Sequence, residues 1–327
     1  LKKYIINTIK FLIYLSIGAF LMWFVYRKYD MQEIQNTLSK GVNYWWILLS
    51  MVAGLASHFS RTIRWQMLIE PIEKRTRITN TFFAVMVGYF ANLLIPRMGE
   101  ISRCGVLSRY EKISVTRLIG TVVVERLIDV VMLLLCLFLV LVLQFNVVVN
   151  FLSKNTDFSK VSEIFTSFWT YVVIAGIVVV ILVFKNSFAK SAVFFKIKGL
   201  WGKFSEGFLA IKNIENKGLF IFHTVFIWVM YFLMIYVCFF GFEFTSSLSP
   251  LAGLSVFVLG SLGMVAPVQG GMGPWHFMVI SSLLMYGITK TEGAAFALIV
   301  WSSLNAMIVL MGIVSLILLP VINRSKS

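Results

Sequence analysis

The chain reads as an all-α polytopic membrane protein with six full spans, two oppositely oriented re-entrant hairpins and an inverted-repeat architecture. Three observations predict this. Hydrophobic residues make up 59% of the 327 positions and charged residues only 13%, about half the charged share of a soluble domain. Apolar runs long enough to cross about 30 Å of hydrocarbon recur along the chain. Two further apolar stretches are interrupted by helix breakers at similar places in the two halves, a pattern that in transporters points to the binding site.

The first span is placed at 7–26, after Lys2 and Lys3. Its apolar run is too long for a signal-peptide core, and no small-residue cleavage pattern precedes Arg27-Lys28, so it is read as retained. The remaining full spans are expected at 44–60, 118–144, 164–184, 218–241 and 293–319. Arg61, Arg64 and Trp65 close the second of these, with Trp45, Trp46 and Trp65 as interface anchors. The apolar regions 78–95, 250–266 and 275–288 are left over.

Loop charge assigns the sides, because basic loops stay on the cytoplasmic side. Segments 61–77 and 97–117 each carry five basic residues against two acidic, and 185–217 carries seven against two. Segment 145–163 is balanced, and 242–249 has only Glu243. One arrangement satisfies every loop: residues 78–112 enter from the cytoplasm, turn near Pro96 and return, and residues 250–288 do the same from outside. Residues 1–327 then form a single membrane domain whose halves, 1–145 and 146–327, each read span, span, hairpin, span. Three crossings per half invert the second half relative to the first. The competing arrangement is an eight-span bundle with kinked helices. The net charge of +15 suits anionic headgroups, and no soluble domain is attached that would dock a nucleic acid. The three cysteines form no CxxC pair or metal-spaced cluster, so no cofactor or metal is expected.

The breaks carry the chemistry. Asn92 to Glu100 contains Pro96 and Gly99, and Pro267 to Pro274 contains Gln269, Gly270, Gly271 and Gly273. Proline removes a donor and glycine admits close approach to the backbone. If Pro274 opens a half-helix, its free N–H groups suit an anion. Close packing is the plainer role for such glycines. Arg97, Glu100 and Arg103 at three-residue spacing share a helical face. The two arginines there suit a phosphate, with a solvated cytoplasmic helix as the alternative. Glu125, Arg126 and Asp129 lie inside an apolar segment, where ionised groups are costly and mark substrate or ion paths; a structural ion pair is the other reading. Arg61 and Arg64 fall on one face beside His58 and are candidates for headgroup contact. His276 is a candidate for proton or anion chemistry, and Asn305 for a hydrogen bond to substrate or to a neighbouring helix.

Four patterns in order, Arg61-x-x-Arg64-Trp65, Asn92-x3-Pro96-Arg97-x-Gly99-Glu100-x-x-Arg103, Glu125-Arg126-x-x-Asp129 and Pro267-x-x-Gly270-Gly271-x-Gly273, resemble the flippase-like membrane region of the lysylphosphatidylglycerol synthase family. The resemblance runs from about residue 5 to residue 320. It implies a bacterial inner-membrane protein related to aminoacyl-phospholipid flippases, and a working cavity lined by Arg97, Glu100, Arg103, Glu125, Arg126 and Asp129; the loop charges, with the tail bearing Arg324 and Lys326, are what put both termini in the cytoplasm. Two departures stand out. Pro274-Trp275-His276 occupies the place where the family often has an acidic residue. No soluble aminoacyl-transfer domain fits in residues 1–327, so an enzyme is not expected. The leading expectation is a transporter of an anionic phospholipid or polyprenyl-phosphate-linked lipid, with proton or cation coupling through Glu125 or Asp129 as an option. A lipid-linked transferase and a non-transporting subunit of a lipid or glycan synthesis complex are the alternatives.

Overall fold

The computed structural model describes Leu12, Ser16 and residues 19–27, 29–155 and 214–324. The expected span 164–184, half of the expected span 7–26 and most of the basic segment 185–217 lie outside the described residues. Among the described residues every regular element is a helix. A helical stretch at 19–26 precedes α1 (Met31–Ser39), α2 (Tyr44–Ile69), α3 (Ile78–Leu94), α4 (Met98–Glu111), α5 (Val115–Leu143) and α6 (Phe145–Asn155). After the undescribed segment come α7 (Lys217–Phe239), α8 (Pro250–Gly263), α9 (Pro274–Leu284) and α10 (Lys290–Ile322). Short polar residues start these helices as their chemistry requires. The side chains of Asn43, Asn216 and Ser249 accept from Trp45, Leu219 and Ala252 N–H groups, and Thr289 with Glu292 forms a reciprocal capping box.

Helices α5, α7 and α10 are long and apolar enough to cross a membrane, and they coincide with the expected spans 118–144, 218–241 and 293–319. The second expected span is corrected. Its helix does not stop near residue 60 but continues to Ile69, 26 residues in all. Arg61, Arg64 and Trp65 are therefore inside the helix and buried, and Trp65 is a core residue rather than an interface anchor. Paired carboxylates allow the longer helix to keep its arginines inside the protein. Trp45 is largely exposed, and Trp46 packs against Phe240. The true connection is shorter than 61–77 and carries less net positive charge.

Two tight antiparallel helix pairs occupy the places of the expected hairpins. Helices α3 and α4 reverse over residues 95–97, and α8 and α9 over residues 264–273. With 17, 14, 14 and 11 residues, these helices are about 16–26 Å long at 1.5 Å per residue. Contacts along α10 orient the pairs. At its C-terminal end, Asn323 exchanges amide hydrogen bonds of 2.8 and 3.1 Å with Asn80 at the start of α3. Asn80 also donates to Glu111, the last residue of α4, at 2.7 Å. The open end of the first pair thus lies beside the end of α10, while the second pair leads directly into its start. Between these ends the two bends touch: Gln269 Nε2 donates to the Leu94 carbonyl at 3.1 Å, and Trp301 Nε1, about a third of the way along α10, donates to the Gly270 carbonyl at 2.7 Å.

Candidate functional site

The site grows from a buried ionic cluster where α2, α4 and α5 meet. Residues Arg61 and Arg64 are three apart on α2, and Glu125 and Asp129 are four apart on α5, so each pair shares a helical face. Arg61 bonds Glu125 and, at 2.9 Å, Asp129. Arg64 reaches Asp129 at 2.7 Å and Glu125 at 3.7 Å. From α4, Arg103 reaches Glu125 at 3.1 Å and lays its guanidinium 4.6 Å from the centre of the Trp65 ring, a favourable cation–π placement. Trp65 is held in turn by donation to Thr121 at 2.8 Å. Four arginines, Arg61, Arg64, Arg103 and Arg126, face three carboxylates, Glu100, Glu125 and Asp129. One positive charge is in excess.

Arg126 differs from the other three. Its side chain is 44% exposed, and its pairs are long, 3.4 Å to Glu100 and 3.7 Å to Asp129. The other arginines are buried and held at short range. Arg126 is thus a loosely held cation at the edge of a tightly held cluster.

The cluster forms one end of a cavity of about 470 Å³. His58, Arg61, Tyr89, Arg126, Asp129 and Tyr231 surround the polar end. Arg61 donates to the Tyr231 hydroxyl from Nε at 3.3 Å and Nη2 at 3.1 Å, and the Tyr231 and Tyr89 hydroxyls lie 3.1 Å apart. The walls are apolar, with Leu133, Met234, Ile235, Phe257 and Met264 among them, and Gly270, Trp275, Trp301 and Asn305 line the same cavity. The arrangement accommodates an amphipathic ligand, anion toward Arg126 and apolar body along the walls. Among the described residues no group of His, Cys, Asp and Glu could hold a metal ion.

The expected site residues fall in different places. Arg61, Arg64, Glu100, Arg103, Glu125, Arg126 and Asp129 come together in the cluster, and Gly270 and Asn305 line its cavity. Asn92, Gln269, Gly271 and Gly273 serve the bends: Asn92 Oδ1 accepts from Gly99 N–H at 2.7 Å, and a Cβ at Gly271 or Gly273 would run into Met264 or Leu21. His276 is fully buried, packed against the rings of Tyr26, Trp275 and Trp301. Arg97 departs from expectation. It is exposed, with φ 62° just ahead of α4, so it does not share a face with Glu100 and Arg103. Arg103, by contrast, is buried within the helix. Pro96 ends α3 and forces the turn there, and Arg97 takes the reversal in a left-handed conformation.

Sequence reasoning did not select Tyr89, Trp228 or Tyr231. In an apolar helix an aromatic residue reads as packing, and only its place on the cavity wall distinguishes it. A His58–Arg61 spacing of three was the available signal for His58.

A membrane protein of Methanocaldococcus jannaschii, UPF0104 membrane protein MJ1595, is 28% identical over 176 residues, 53% of this chain and 48% of that protein. The chain therefore matches about half the length of this curated relative. No solved structure matches it. The family described as Lysylphosphatidylglycerol synthase TM region matches residues 9–317, nearly the whole of the chain that builds the cluster and both bends, and the protein belongs to that family.

Proposed function

We propose that this protein is a flippase-like transporter that moves an anionic lipid, a phospholipid or a polyprenyl-phosphate-linked lipid, across the membrane. The observation that carries this reading is the cavity with a surplus positive charge at one end and apolar walls elsewhere. A lipid phosphate would take the loosely held Arg126 through charge-assisted, bidentate hydrogen bonds. Arg61, Arg64 and Arg103 are buried, share Glu125 and Asp129, and hold the geometry.

The lipid's chains also have a path. Arg126 and Val130 line the cavity and a second groove of about 280 Å³, whose lining is apolar apart from Arg126 and Glu100 and includes Ile101, Ile119, Val122, Val123 and Leu127. A headgroup inside and an alkyl chain outside would therefore pass the same residue. In this reading the two helix pairs are re-entrant hairpins inserted from opposite faces, their short helices meeting inside the bilayer, where irregular backbone is covered by protein. The two halves, 1–145 and 146–327, rock about the touching bends. A proton or cation coupled through Glu125 or Asp129 belongs to the same proposal. So do placement in a bacterial inner membrane and cytoplasmic termini, which rest on loop charge and on the family.

The test is transport by the purified protein in phosphatidylcholine vesicles carrying a fluorescent phosphatidylglycerol or a fluorescent polyprenyl phosphate. Movement is read as loss of protection from an impermeant quencher. Arg126→Gln is expected to slow movement by about tenfold, the effect of roughly 1.4 kcal/mol. Equal rates in the variant and the parent, or no movement of either lipid, would remove the reading.

A further inference from the structure

Helix α10 is fastened to both helix pairs, and each pair holds a different part of it. The first part is held by the second pair. A Cβ at Gly293 would lie 3.5 Å from Ile280 Cα on α9, and Trp301 donates to the Gly270 carbonyl at 2.7 Å. Ala294, Phe296 and Val300 are buried in one core with Val279, Ile280 and Leu283. The last part is held by the first pair. A Cβ at Gly312 would run into Phe90 on α3, and Asn323 exchanges its amide bonds with Asn80 at the start of the same helix.

Between these parts one turn is chemically weakened. The Ser303 hydroxyl donates to the Ile299 carbonyl at 2.6 Å and to the Val300 carbonyl at 3.1 Å, and Asn305 Nδ2 donates to the Trp301 carbonyl at 2.7 Å. Three successive carbonyls thus have a side-chain donor besides the N–H groups of the helix. Such back-bonding competes with the backbone ladder and bends helices. It also keeps a carbonyl paired when the turn opens, which matters where no water can replace the lost bond. Among the described helices no other run of three adjacent carbonyls is engaged this way. Ser315 bonds only the Met311 carbonyl, within the part that Phe90 holds. No glycine or proline lies between 294 and 311, so the side-chain donors are the feature of this stretch that permits a kink. Trp301, Leu304, Asn305 and Ile308 line the cavity, so the weakened turn faces the space a ligand would fill.

We propose that residues 299–305 are a hinge within α10. The part before it swings with the second pair, and the part beyond it stays with the first. A rotation of about 20° over the roughly 20 Å from Ser303 to Lys290 carries the far end about 7 Å. This rests on the rocking motion described above and refines it: the last turns of α10 belong to the second half by sequence and travel with the first pair.

The test measures distances between spin labels by double electron–electron resonance. It uses the full chain in phosphatidylcholine nanodiscs, with Cys104, Cys136 and Cys238 replaced by alanine. Labels go on exposed positions, Ile101 on α4, Phe277 on α9, and Lys290 and Ile317 near the ends of α10. The pair Ile101/Phe277 reports one helix pair against the other. The pairs Phe277/Lys290 and Ile101/Ile317 report each helix pair against its own part of α10. The Ile101/Phe277 distribution is expected to be about twofold broader than the other two. Ser303→Ala removes two of the three side-chain bonds and is expected to narrow it by about half, and Ser303→Ala/Asn305→Leu to narrow it further. An Ile101/Phe277 distribution as narrow as the others would overturn the hinge. So would equal breadth in either of the other pairs, which would place the motion at the fastenings, or an unchanged breadth in both variants. No transported lipid enters the measurement, so loss of the hinge leaves the transport reading standing, and failure of transport leaves the hinge to be judged by its own distances.

Discussion

The two helix pairs solve one packing problem with different chemistry. Both close on glycine. A Cβ at Gly88 would lie 2.9 Å from the Gly99 carbonyl, and one at Gly263 would lie 2.8 Å from the Pro274 carbonyl and from Trp275 Cα. Small residues at such contacts let apolar helices approach closely, as packing in membranes demands. Away from those contacts the pairs diverge. The first reverses within three residues and brings Glu100 and Arg103 to the ionic cluster. The second has no Asp, Glu, Lys or Arg between 250 and 289. Instead it reverses over ten residues, with Gly270, Gly271 and Gly273 at positive φ. The difference teaches a division of labour: one pair supplies charge through side chains, the other an uncharged, backbone-rich wall opposite it.

Five substitutions would break or sharpen that comparison. The largest effect is expected for Glu125→Ala, which leaves Arg61 and Arg103 buried beside a missing carboxylate. Such one-sided removal costs about 3–5 kcal/mol, seen as a large fall in the melting temperature of the detergent-solubilised protein. A melt like that of the parent would mean the cluster is wetter than its burial indicates. Next, Gly88→Val and Gly263→Val overpack the first and second pairs respectively, each by about 1–3 kcal/mol. Similar losses in the two melts would support a shared packing rule, and a loss in only one would divide the pairs further. Trp301→Phe removes the donor to the Gly270 carbonyl and should cost about 1 kcal/mol, with hydrogen exchange at residues 268–273 rising more than elsewhere. The smallest effect is expected for Arg117→Ala. Its 2.6 Å pair with Glu73 is on the surface, with the Arg117 side chain 61% exposed, so the melt should move by no more than about 0.5 kcal/mol, the solvent-screened value of such pairs.

Much of the fold was legible from composition and breakers. Apolar length located α5, α7 and α10 because a membrane-crossing helix must be long and apolar whatever its neighbours. Proline and glycine located both bends because their backbone limits are local. The end of α2 was misjudged for the opposite reason. Arg61 and Arg64 look like the edge of a span when read alone, and only the carboxylates of α5, more than sixty residues away, make their burial tolerable. The site was legible in the same uneven way. Glu125, Arg126 and Asp129 stood out as charges in an apolar run, whereas Tyr89, Trp228 and Tyr231 looked like any packed aromatic. Arg97 was over-read, because three-residue spacing implies a shared face only if the helix includes the first residue, and here it begins at Met98.

The sequence by itself determined that the chain is helical, which stretches are apolar enough for a membrane and where the backbone must break, since each follows from side-chain hydropathy or from the torsional limits of proline and glycine. Tertiary structure decided which charges are neutralised, that Arg126 is left loosely held, and that the Gly270 bend meets Leu94 and Trp301. Those outcomes depend on Coulombic and steric contacts between helices far apart in the chain, which no local pattern encodes.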